Sequence, residues 1–324
     1  MAATTAAADA AAARAAALQK LSARSAKRKE DQEALRKKLM LKLYLEGLKT
    51  KLKAKGREPA KAEAPATTPQ QSQHSQEELT IRGDGTRESA RACADVLRRH
   101  GCACLQTSID SAKIERCRVL CEEALETTLK DADERGLDRT GLKTKEIVSR
   151  QALRFDLVRG IADTEPFDAL AKGGPWCSTL RQALGVDMKL IKSGCVVAMP
   201  GCPRQPVHPD GKHLFEEGDH LPPHCITVFV PLVDMCADLG PTEFFPGTHR
   251  RDCPSQEYRV CEKGDCEGVA FTSAKAGDAV MFDYRVLHRG GANSTTRQRP
   301  LLYFTYARSW FTDATNYSAV SLDD

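Results

Sequence analysis

The chain has 324 residues, and because single domains usually contain about 100–200 residues, one large domain with an extension, or two domains, is expected. Its net charge of +4 is unevenly divided: residues 1–60 hold 15 Lys and Arg against 6 Asp and Glu, which leaves −5 for residues 61–324. Residues 61–324 are thus acidic and contain no recognisable nucleic-acid-binding module. We therefore do not expect the folded domain to bind nucleic acid. No run of 18 apolar residues occurs, so no transmembrane segment is predicted.

Residues 1–55 are rich in Ala, Lys, Arg and Leu and lack proline, which predicts a basic extension that is helical or partly disordered. A leucine stripe has coiled-coil spacing, but it covers about two heptads where three or four are typical: Leu41, Leu45, Leu48 and Leu52. One interpretation is a helix that contacts a partner helix or an anionic surface, and the other is a solvated helix. The low acidic content of the first 30 residues also fits a mitochondrial or plastid transit peptide.

Composition predicts where the folded body begins and where the chain resides. Residues 56–78 are rich in Pro, Gln, Ala and Ser and are predicted to be a disordered linker, so the domain should comprise residues 79–324. All 13 cysteines lie between Cys93 and Cys266, without a CxxC pair. An odd number of scattered cysteines favours free thiols in a reducing, intracellular compartment, with the cytoplasm preferred.

Helices are predicted first and strands later along the domain. Helical spacing of apolar residues from Arg87 to Lys130 indicates two helices joined by the extended piece HGCACLQ, and residues 160–184 form another helical region. Short β-branched and aromatic runs then follow, separated by Gly, Pro and Asp turns: MKLIKSGCVVAM, CITVFVPLVDM, GVAFTSAK, DAVMFDYRVLH and RPLLYFTYAR. This order predicts an α+β fold, a sandwich or barrel backed by helices.

The stretch QPVHPDGKHLF places His208 and Asp210 two positions apart, and on a strand such residues face the same way. Alone, this pair is more typical of a surface turn, because polar residues near Pro and Gly usually lie in loops. A second histidine, His288, ends the run DAVMFDYRVLH, and Arg299 opens the next run. Two imidazoles and one carboxylate form the facial triad of non-haem Fe(II) oxygenases, which leaves open positions for a 2-oxo acid and O2. A planar Arg is suited to hold a second carboxylate of that acid.

The order and spacing of these residues resemble the Fe(II)/2-oxoglutarate-dependent dioxygenases, and within them the phytanoyl-CoA dioxygenase family. Three segments carry the resemblance: LGPTEFFPGTHR at 239–250, GDAVMFDYRVLHRG at 277–290, and HRGGANSTTRQR at 288–299. The resemblance covers roughly residues 85–315 and implies a double-stranded β-helix, a jelly-roll core with iron at its open mouth. Gly290 differs from the family pattern, because some members of the family carry Ser at this position. The sequence therefore does not show which group replaces the hydrogen bond that this serine makes near the oxo acid.

The resemblance also implies the chemistry and the residues that perform it. The chain would hydroxylate an aliphatic C–H bond of a small-molecule or acyl substrate and release succinate and CO2, with Fe(II), 2-oxoglutarate and O2 as cofactor and co-substrates. Halogenation is disfavoured, because related halogenases replace the carboxylate ligand with a small residue, whereas Asp210 is present. The implied metal ligands and catalytic residues are His208, Asp210 and His288, and the implied cofactor-binding residues are Arg299, Asn293 and Thr295.

Alternatives remain open from the sequence alone. One is a catalytically silent jelly-roll module that binds or scaffolds through its basic N-terminal helix, and another is a hydrolytic zinc site on the same three ligands. The motifs HExxH and GxSxG and a Walker phosphate loop are absent. Strand alternation places Arg297 on the same face as Arg299, and only the family spacing favours Arg299. Four further histidines compete as ligands and are interpreted as surface or packing residues: His213, His220, His224 and His249.

Overall fold

The computed structural model of the chain describes residues 74–158 and 164–313. The predicted extension at residues 1–55, its leucine stripe and most of the predicted linker lie outside these residues, so they stay predictions, as does the cellular compartment. Among the described residues, no helix has both the length and the apolar character needed to cross a bilayer.

Five α-helices and two short 3₁₀ turns lie within the described residues. The helices are α1 (Arg87–His100), α2 (Ser111–Glu134), α3 (Phe167–Gly173), α4 (Cys177–Leu184) and α5 (Ser255–Lys263), and the turns are Arg139–Gly141 and Ala237–Leu239. The strands are β1 (Thr80–Arg82), β2 (Cys102–Gln106), β3 (Ile147–Gln151), β4 (Arg154–Leu157), β5 (Lys189–Ala198), β6 (Cys225–Pro231), β7 (Thr242–Phe244), β8 (Val269–Ala270), β9 (Ala279–Asp283), β10 (His288–Gly290) and β11 (Arg299–Ala307).

Two sheets organise the described strands into a mixed α+β fold. The large sheet has eight strands in the order β1-β2-β9-β6-β11-β5-β4-β3, and the small sheet has the order β10-β7-β8. All strand pairs are antiparallel except β1 with β2. The long strand β11 lies between β5 and β6 near the centre of the large sheet, so residues at both ends of β11 are well fixed.

The two faces of the large sheet have different roles, because successive side chains of a strand point to opposite faces. On β11, Leu302 and Phe304 are buried in the main core together with residues of the helices, such as Leu97 of α1 and Leu180 of α4. The alternate residues of β11, beginning with Arg299, line a cavity on the other face. Helices therefore cover one face of the sheet, and the other face is available for a site.

Glycine at position 101 ends α1 and allows the chain to turn into β2. Gly101 has φ of 83°, which is the left-handed region, and its N–H donates to the Leu97 carbonyl at 2.8 Å. A Cβ here would lie 2.5 Å from Nδ1 of His249, so a larger residue would collide as well as strain the backbone. At the other end of α1, Thr86 caps the helix and accepts a hydrogen bond from the Ser89 N–H at 3.1 Å.

Most predicted elements match the structure, with three differences. The run DAVMFDYRVLH is two strands, β9 and β10, because a turn held by Asp283 and Arg285 interrupts it. The run GVAFTSAK contains only the two-residue strand β8. Strands β3 and β4 and helix α5 were not predicted, since the two strands are short and the helix segment is rich in charged residues. All 13 cysteines are free and 11 of them are buried, which fits the prediction of free structural thiols.

Candidate active site in the cavity of the large sheet

The structure brings His208, Asp210 and His288 together. Their potential ligand atoms all lie within 4.8 Å of one another. An antiparallel bridge fixes the two histidines, because each backbone N–H donates to the carbonyl of the other, at 3.0 Å from His208 and 2.9 Å from His288. The imidazole rings are 4.6 Å apart between centroids, and the His288 Nε2 lies 3.7 Å from the Asp210 Oδ1.

Backbone carbonyls orient both imidazoles in a way that suits metal binding. The Nδ1 atom of His208 lies 2.9 Å from the Pro206 carbonyl, and the Nδ1 atom of His288 lies 3.1 Å from the Val286 carbonyl. Since a carbonyl only accepts hydrogen bonds, Nδ1 must carry the proton in each ring, which leaves the Nε2 lone pair free. Two bare Nε2 atoms and a carboxylate oxygen fit a divalent cation such as Fe(II).

The three residues differ in burial, which affects the protonation state of His288 and the access of His208 and Asp210 to the cavity. His288 is buried, whereas His208 and Asp210 are partly exposed towards the cavity. Burial lowers the pKa of the His288 imidazole, and the neighbouring Asp210 carboxylate only partly opposes this. His288 is therefore neutral near pH 7, as a ligand imidazole must be.

Asp283 and Arg285 form a buried ion pair in the turn that leads to His288. The Asp283 carboxylate accepts hydrogen bonds from Arg285 Nε at 2.8 Å, Arg285 Nη2 at 2.7 Å and the Arg285 backbone N–H at 2.9 Å. Burial by itself raises the pKa of Asp283, but the hydrogen bonds from Arg285 outweigh it and hold the pKa below its usual value of 3.8. The pair thus fixes the corner between β9 and β10.

We expect Asp283→Asn to lower the free energy of unfolding at pH 7 by roughly 3–5 kcal/mol, because Arg285 is left buried without a counter-charge. The folded pKa of Asp283 is depressed, so its stabilisation is complete above the unfolded value of 3.8 and is lost as the pH falls through the folded pKa. Urea unfolding of wild type and variant from pH 7 to pH 3 measures this. A stability difference that does not narrow below about pH 4 would contradict the assignment.

A cavity of about 210 Å³ adjoins these three residues and lies against β4, β5, β6 and β11. Two buried arginines, Arg154 and Arg299, line it. Arg154 Nη2 donates to the carbonyls of Pro203 at 3.1 Å and Gly291 at 2.9 Å, and Arg299 Nη1 donates to the Gly240 carbonyl.

The charges of Arg154 and Arg299 are not neutralised by the protein. Neither guanidinium has an ion pair with a carboxylate within residues 74–158 and 164–313, and the Nε atom of each has no hydrogen-bond partner there. Burial, and next the charge of Arg154, lowers the pKa of Arg299 to about 9. Two buried cations with unused donors are suited to bind an anion inside the cavity.

Strand register explains how residues 145 positions apart in the chain meet. Ala198 of β5 is paired with Arg299 of β11 on one side and with Arg154 of β4 on the other. All three residues therefore lie in one row across the sheet, and their side chains share a face. Sequence analysis missed Arg154, because nothing in its local pattern shows which strands β4 joins.

Asn293 and Thr295, which were expected to bind the cofactor, lie in the turn before β11. The Asn293 Nδ2 donates to the carbonyls of Ala198 at 3.0 Å and Arg297 at 2.7 Å, and its Oδ1 accepts from the Thr295 N–H and hydroxyl. Neither side chain is among the residues that line the cavity. Their contacts hold the turn and the start of β11, and thereby position Arg299.

The competing residues of the sequence lie elsewhere. Arg297 is exposed, whereas Arg299 is buried at the cavity. His249 is buried beneath the end of α1, where its Nε2 lies 3.1 Å from the Arg98 carbonyl. His213, His220 and His224 are not cavity-lining residues.

Two curated relatives match parts of the chain. Dioxygenase hkm4 of Aspergillus hancockii is 28% identical over 109 residues, which is 33% of this chain and 34% of the relative. Dioxygenase easH of Epichloe festucae var. lolii is 31% identical over 98 residues, which is 30% of this chain and 50% of the relative. The chain thus spans between about a third and a half of the length of these relatives.

Solved structures share the fold. The non-heme alpha ketoglutarate dependent epimerase SnoN from nogalamycin biosynthesis is similar with a TM-score of 0.51 and 15% identity, over 69% of this chain and 85% of SnoN. AviO1 from Streptomyces viridochromogenes Tue57 is similar with a TM-score of 0.50 and 18% identity, over 70% of this chain and 98% of AviO1. The family model described as phytanoyl-CoA dioxygenase (PhyH) matches residues 97–301, which include the triad, both buried arginines and the strands between them. The chain therefore belongs to the phytanoyl-CoA dioxygenase family.

Proposed function

We propose that the chain is an Fe(II)- and 2-oxoglutarate-dependent dioxygenase that hydroxylates an aliphatic C–H bond of a small-molecule or acyl substrate. The overall reaction consumes 2-oxoglutarate, O2 and R–H and yields succinate, CO2 and R–OH. One observation carries the proposal: a two-histidine, one-carboxylate cluster and a pair of buried, uncompensated arginines face the same cavity. The two sheets, with this cluster between them, would form the double-stranded β-helix implied by the resemblance.

Each residue of the site has a defined task in this proposal. His208, Asp210 and His288 hold the iron on one face, and the bound iron supplies the activation of O2 that the oxidation requires. The Asp210 carboxylate offsets part of the metal charge. The carbonyls that accept from the two Nδ1–H groups keep both rings aimed at the metal, so the ligands are ordered before the metal binds.

Arg299 and Arg154 would bind the carboxylate of 2-oxoglutarate that is distant from the metal. Their backbone hydrogen bonds to Gly240, Pro203 and Gly291 hold the guanidinium groups in place while leaving donors unused. Because water is largely excluded around these groups, hydrogen bonds to a carboxylate are stronger there than at the surface. This arrangement favours a dicarboxylate over a monocarboxylic oxo acid.

Gly290 makes room for Arg154 in this arrangement. A Cβ at this position would collide with the Arg154 Nη1 atom and would lie 2.5 Å from the Gln205 Oε1 atom. The glycine that departs from the family pattern therefore fits a different way of holding the oxo acid, in which a second arginine replaces a serine hydroxyl.

We expect Gly290→Ser to weaken 2-oxoglutarate binding about tenfold, because the displaced Arg154 loses roughly one charge-assisted hydrogen bond, about 1.5 kcal/mol. Calorimetric titration of the metal-loaded protein measures the affinity. Ala292→Ser, which adds the same hydroxyl at an exposed position two residues later, is the control and should bind as wild type does. Equal or tighter binding by Gly290→Ser would show that Arg154 has no part in holding the oxo acid.

The proposed activity is tested by O2-dependent formation of succinate. Purified protein is incubated with 2-oxoglutarate and either Fe(II) or Zn(II), with and without O2, and succinate is quantified. Succinate should form only with Fe(II) and O2 together, since zinc has no redox chemistry. Succinate no higher than in protein-free controls, from folded protein that binds Fe(II), would refute the dioxygenase and leave the zinc site or the silent binding module.

A further inference from the structure

We infer that the substrate of this site carries a carboxylate and that Lys192, at the end of the cavity opposite Arg299, binds it. The inference rests on the proposed function and specifies its substrate class. It follows from the charges that line the cavity, from the strand register that separates them, and from the size of the space between them.

The cavity has an excess of positive charge. Four cationic side chains line it, Arg150, Arg154, Lys192 and Arg299, against the two carboxylates of Asp156 and Asp210. The residues thus give a net charge of +2. Fe(II) and the 2-oxoglutarate dianion bring +2 and −2, so the excess remains when both are bound. A buried excess of this kind is costly unless a further anion enters.

Pairing within the cavity leaves Lys192 without an ion-pair partner. Arg150 is bound to the fully buried Asp156 through Nε at 2.9 Å and Nη2 at 2.5 Å, so these two residues neutralise each other. Asp210 is assigned to the metal and Arg299 to the oxo acid. The Lys192 ammonium forms no ion pair with any carboxylate of the described chain, and its burial is intermediate.

Strand register separates Lys192 from Arg299. Lys192 of β5 is paired with Thr305 of β11, whereas Ala198 of β5 is paired with Arg299. The two rows are six positions apart along β5, and at about 3.3 Å per residue the backbones of Lys192 and Arg299 are about 20 Å apart along the strands. One 2-oxoglutarate molecule occupies the Arg299 end, so the ammonium at the other end is available to a different anion.

The wall between the two ends positions the ammonium and suits an aliphatic chain. The Lys192 Nζ atom lies 5.6 Å from the centroid of the Tyr303 ring, which holds the ammonium over an aromatic face. Gly194 provides the space for this ring, since a Cβ there would lie 2.6 Å from the Tyr303 hydroxyl. Val196 and Leu301 add apolar surface along the same wall.

The volume of the cavity favours a small acid. About 210 Å³ is below the roughly 300–1,000 Å³ typical of ligand pockets, and 2-oxoglutarate takes part of it. A short aliphatic carboxylic acid, with its carboxylate at Lys192 and its chain along Leu301 and Tyr303, would present a C–H bond to the metal end. The reaction that supplies such a substrate must therefore release or preserve a free carboxylate.

The test uses hexanoate and its uncharged analogue hexanamide as probes. Each is titrated calorimetrically, without O2, into full-length protein loaded with Fe(II) and saturating 2-oxoglutarate. We expect wild type to bind hexanoate at least tenfold more tightly than hexanamide. Lys192→Met should remove this preference. Lys189→Met, which removes an exposed lysine from the same strand, should retain it.

A variant with the opposite charge at position 192 tests the inference through a new binding preference instead of a lost one. Lys192→Glu should bind hexylammonium more tightly than hexanoate, and thermal unfolding of each variant confirms that the fold persists. No preference for hexanoate over hexanamide in wild type, or a preference that survives in Lys192→Met, would overturn the inference.

The same samples distinguish this failure from failure of the proposed function. Fe(II) and 2-oxoglutarate bound together give a visible metal-to-ligand charge-transfer band before any probe is added. If the band forms and hexanoate shows no preference, the dioxygenase site stands and only the substrate class is wrong. If the band does not form, the proposed function itself fails.

Discussion

Replacing Arg299 by methionine is expected to weaken 2-oxoglutarate binding by roughly 30-fold to several-thousandfold. Truncating one partner of a buried, hydrogen-bonded charge pair costs about 2–5 kcal/mol, and each 1.4 kcal/mol corresponds to about tenfold in affinity. Arg299 is only 1% exposed, so water cannot replace its hydrogen bonds to the carboxylate. Calorimetric titration of the metal-loaded variant with 2-oxoglutarate measures the loss.

The stability of the ligand-free Arg299→Met protein should not fall. Burial lowers the pKa of Arg299 to about 9 from the usual 12.5, so the unfolded chain holds the proton more tightly than the folded one. The charge therefore destabilises the fold at every pH below 9, and this cost is relieved only as the pH rises from 9 towards 12.5. Methionine removes the cost at pH 7 and occupies a similar volume.

Arg297→Met is the matched control, because it removes an exposed arginine two residues earlier on the same turn. It should leave both 2-oxoglutarate affinity and thermal stability unchanged. The opposite pattern for Arg299→Met, with full affinity for 2-oxoglutarate but a clear loss of stability, would mean that Arg299 supports the fold and does not bind the co-substrate.

Asp210→Ala is expected to abolish hydroxylation and to weaken Fe(II) binding by at least about 100-fold. Losing a residue that merely supports a metal ligand usually costs 10–100-fold in metal affinity or activity, and Asp210 would supply a ligand and the only negative charge among the three. Its Oδ1 atom lies 3.7 Å from the His288 Nε2 atom, which is close enough for both atoms to bind one metal ion. Competition titration with a metal-binding dye measures the affinity, and the succinate assay measures turnover.

Asp219→Ala is the control for Asp210→Ala, since Asp219 is an exposed aspartate in the same segment. It should behave as wild type in both assays. Fe(II) affinity and succinate formation that persist in Asp210→Ala would exclude this carboxylate from the metal site.

Local sequence patterns predicted the residues that are close in the chain. The two-residue spacing of His208 and Asp210 predicted that their side chains face the same way, and the helices and most strands followed from periodicity and turn residues. His288 and Arg299 required the family resemblance, because 77 residues lie between Asp210 and His288 and no periodicity links them. The structure joins the two histidines through a single antiparallel bridge, which a sequence pattern does not encode.

The cavity residues contributed by neighbouring strands were beyond sequence reasoning. Arg154 meets Arg299 because both are paired with Ala198, and Lys192 lies on the cavity face because it is paired with Thr305 of β11. These relations depend on strand order and register, which are set by packing of the whole sheet. The family resemblance also implied that Asn293 binds the cofactor, whereas its amide donates hydrogen bonds within the turn that precedes Arg299.

The most direct measurement for the central claim is an anaerobic absorbance titration with Fe(II) and 2-oxoglutarate. We expect one visible charge-transfer band that saturates at one Fe(II) and one 2-oxoglutarate per chain, requires both, and is preserved in Arg297→Met and Asp219→Ala. At ligand concentrations that saturate wild type, the band should be lost in Asp210→Ala and Arg299→Met. Folded wild-type protein that gives no band, or a band of full intensity in both site variants, would contradict the assignment of the cavity as a dioxygenase site.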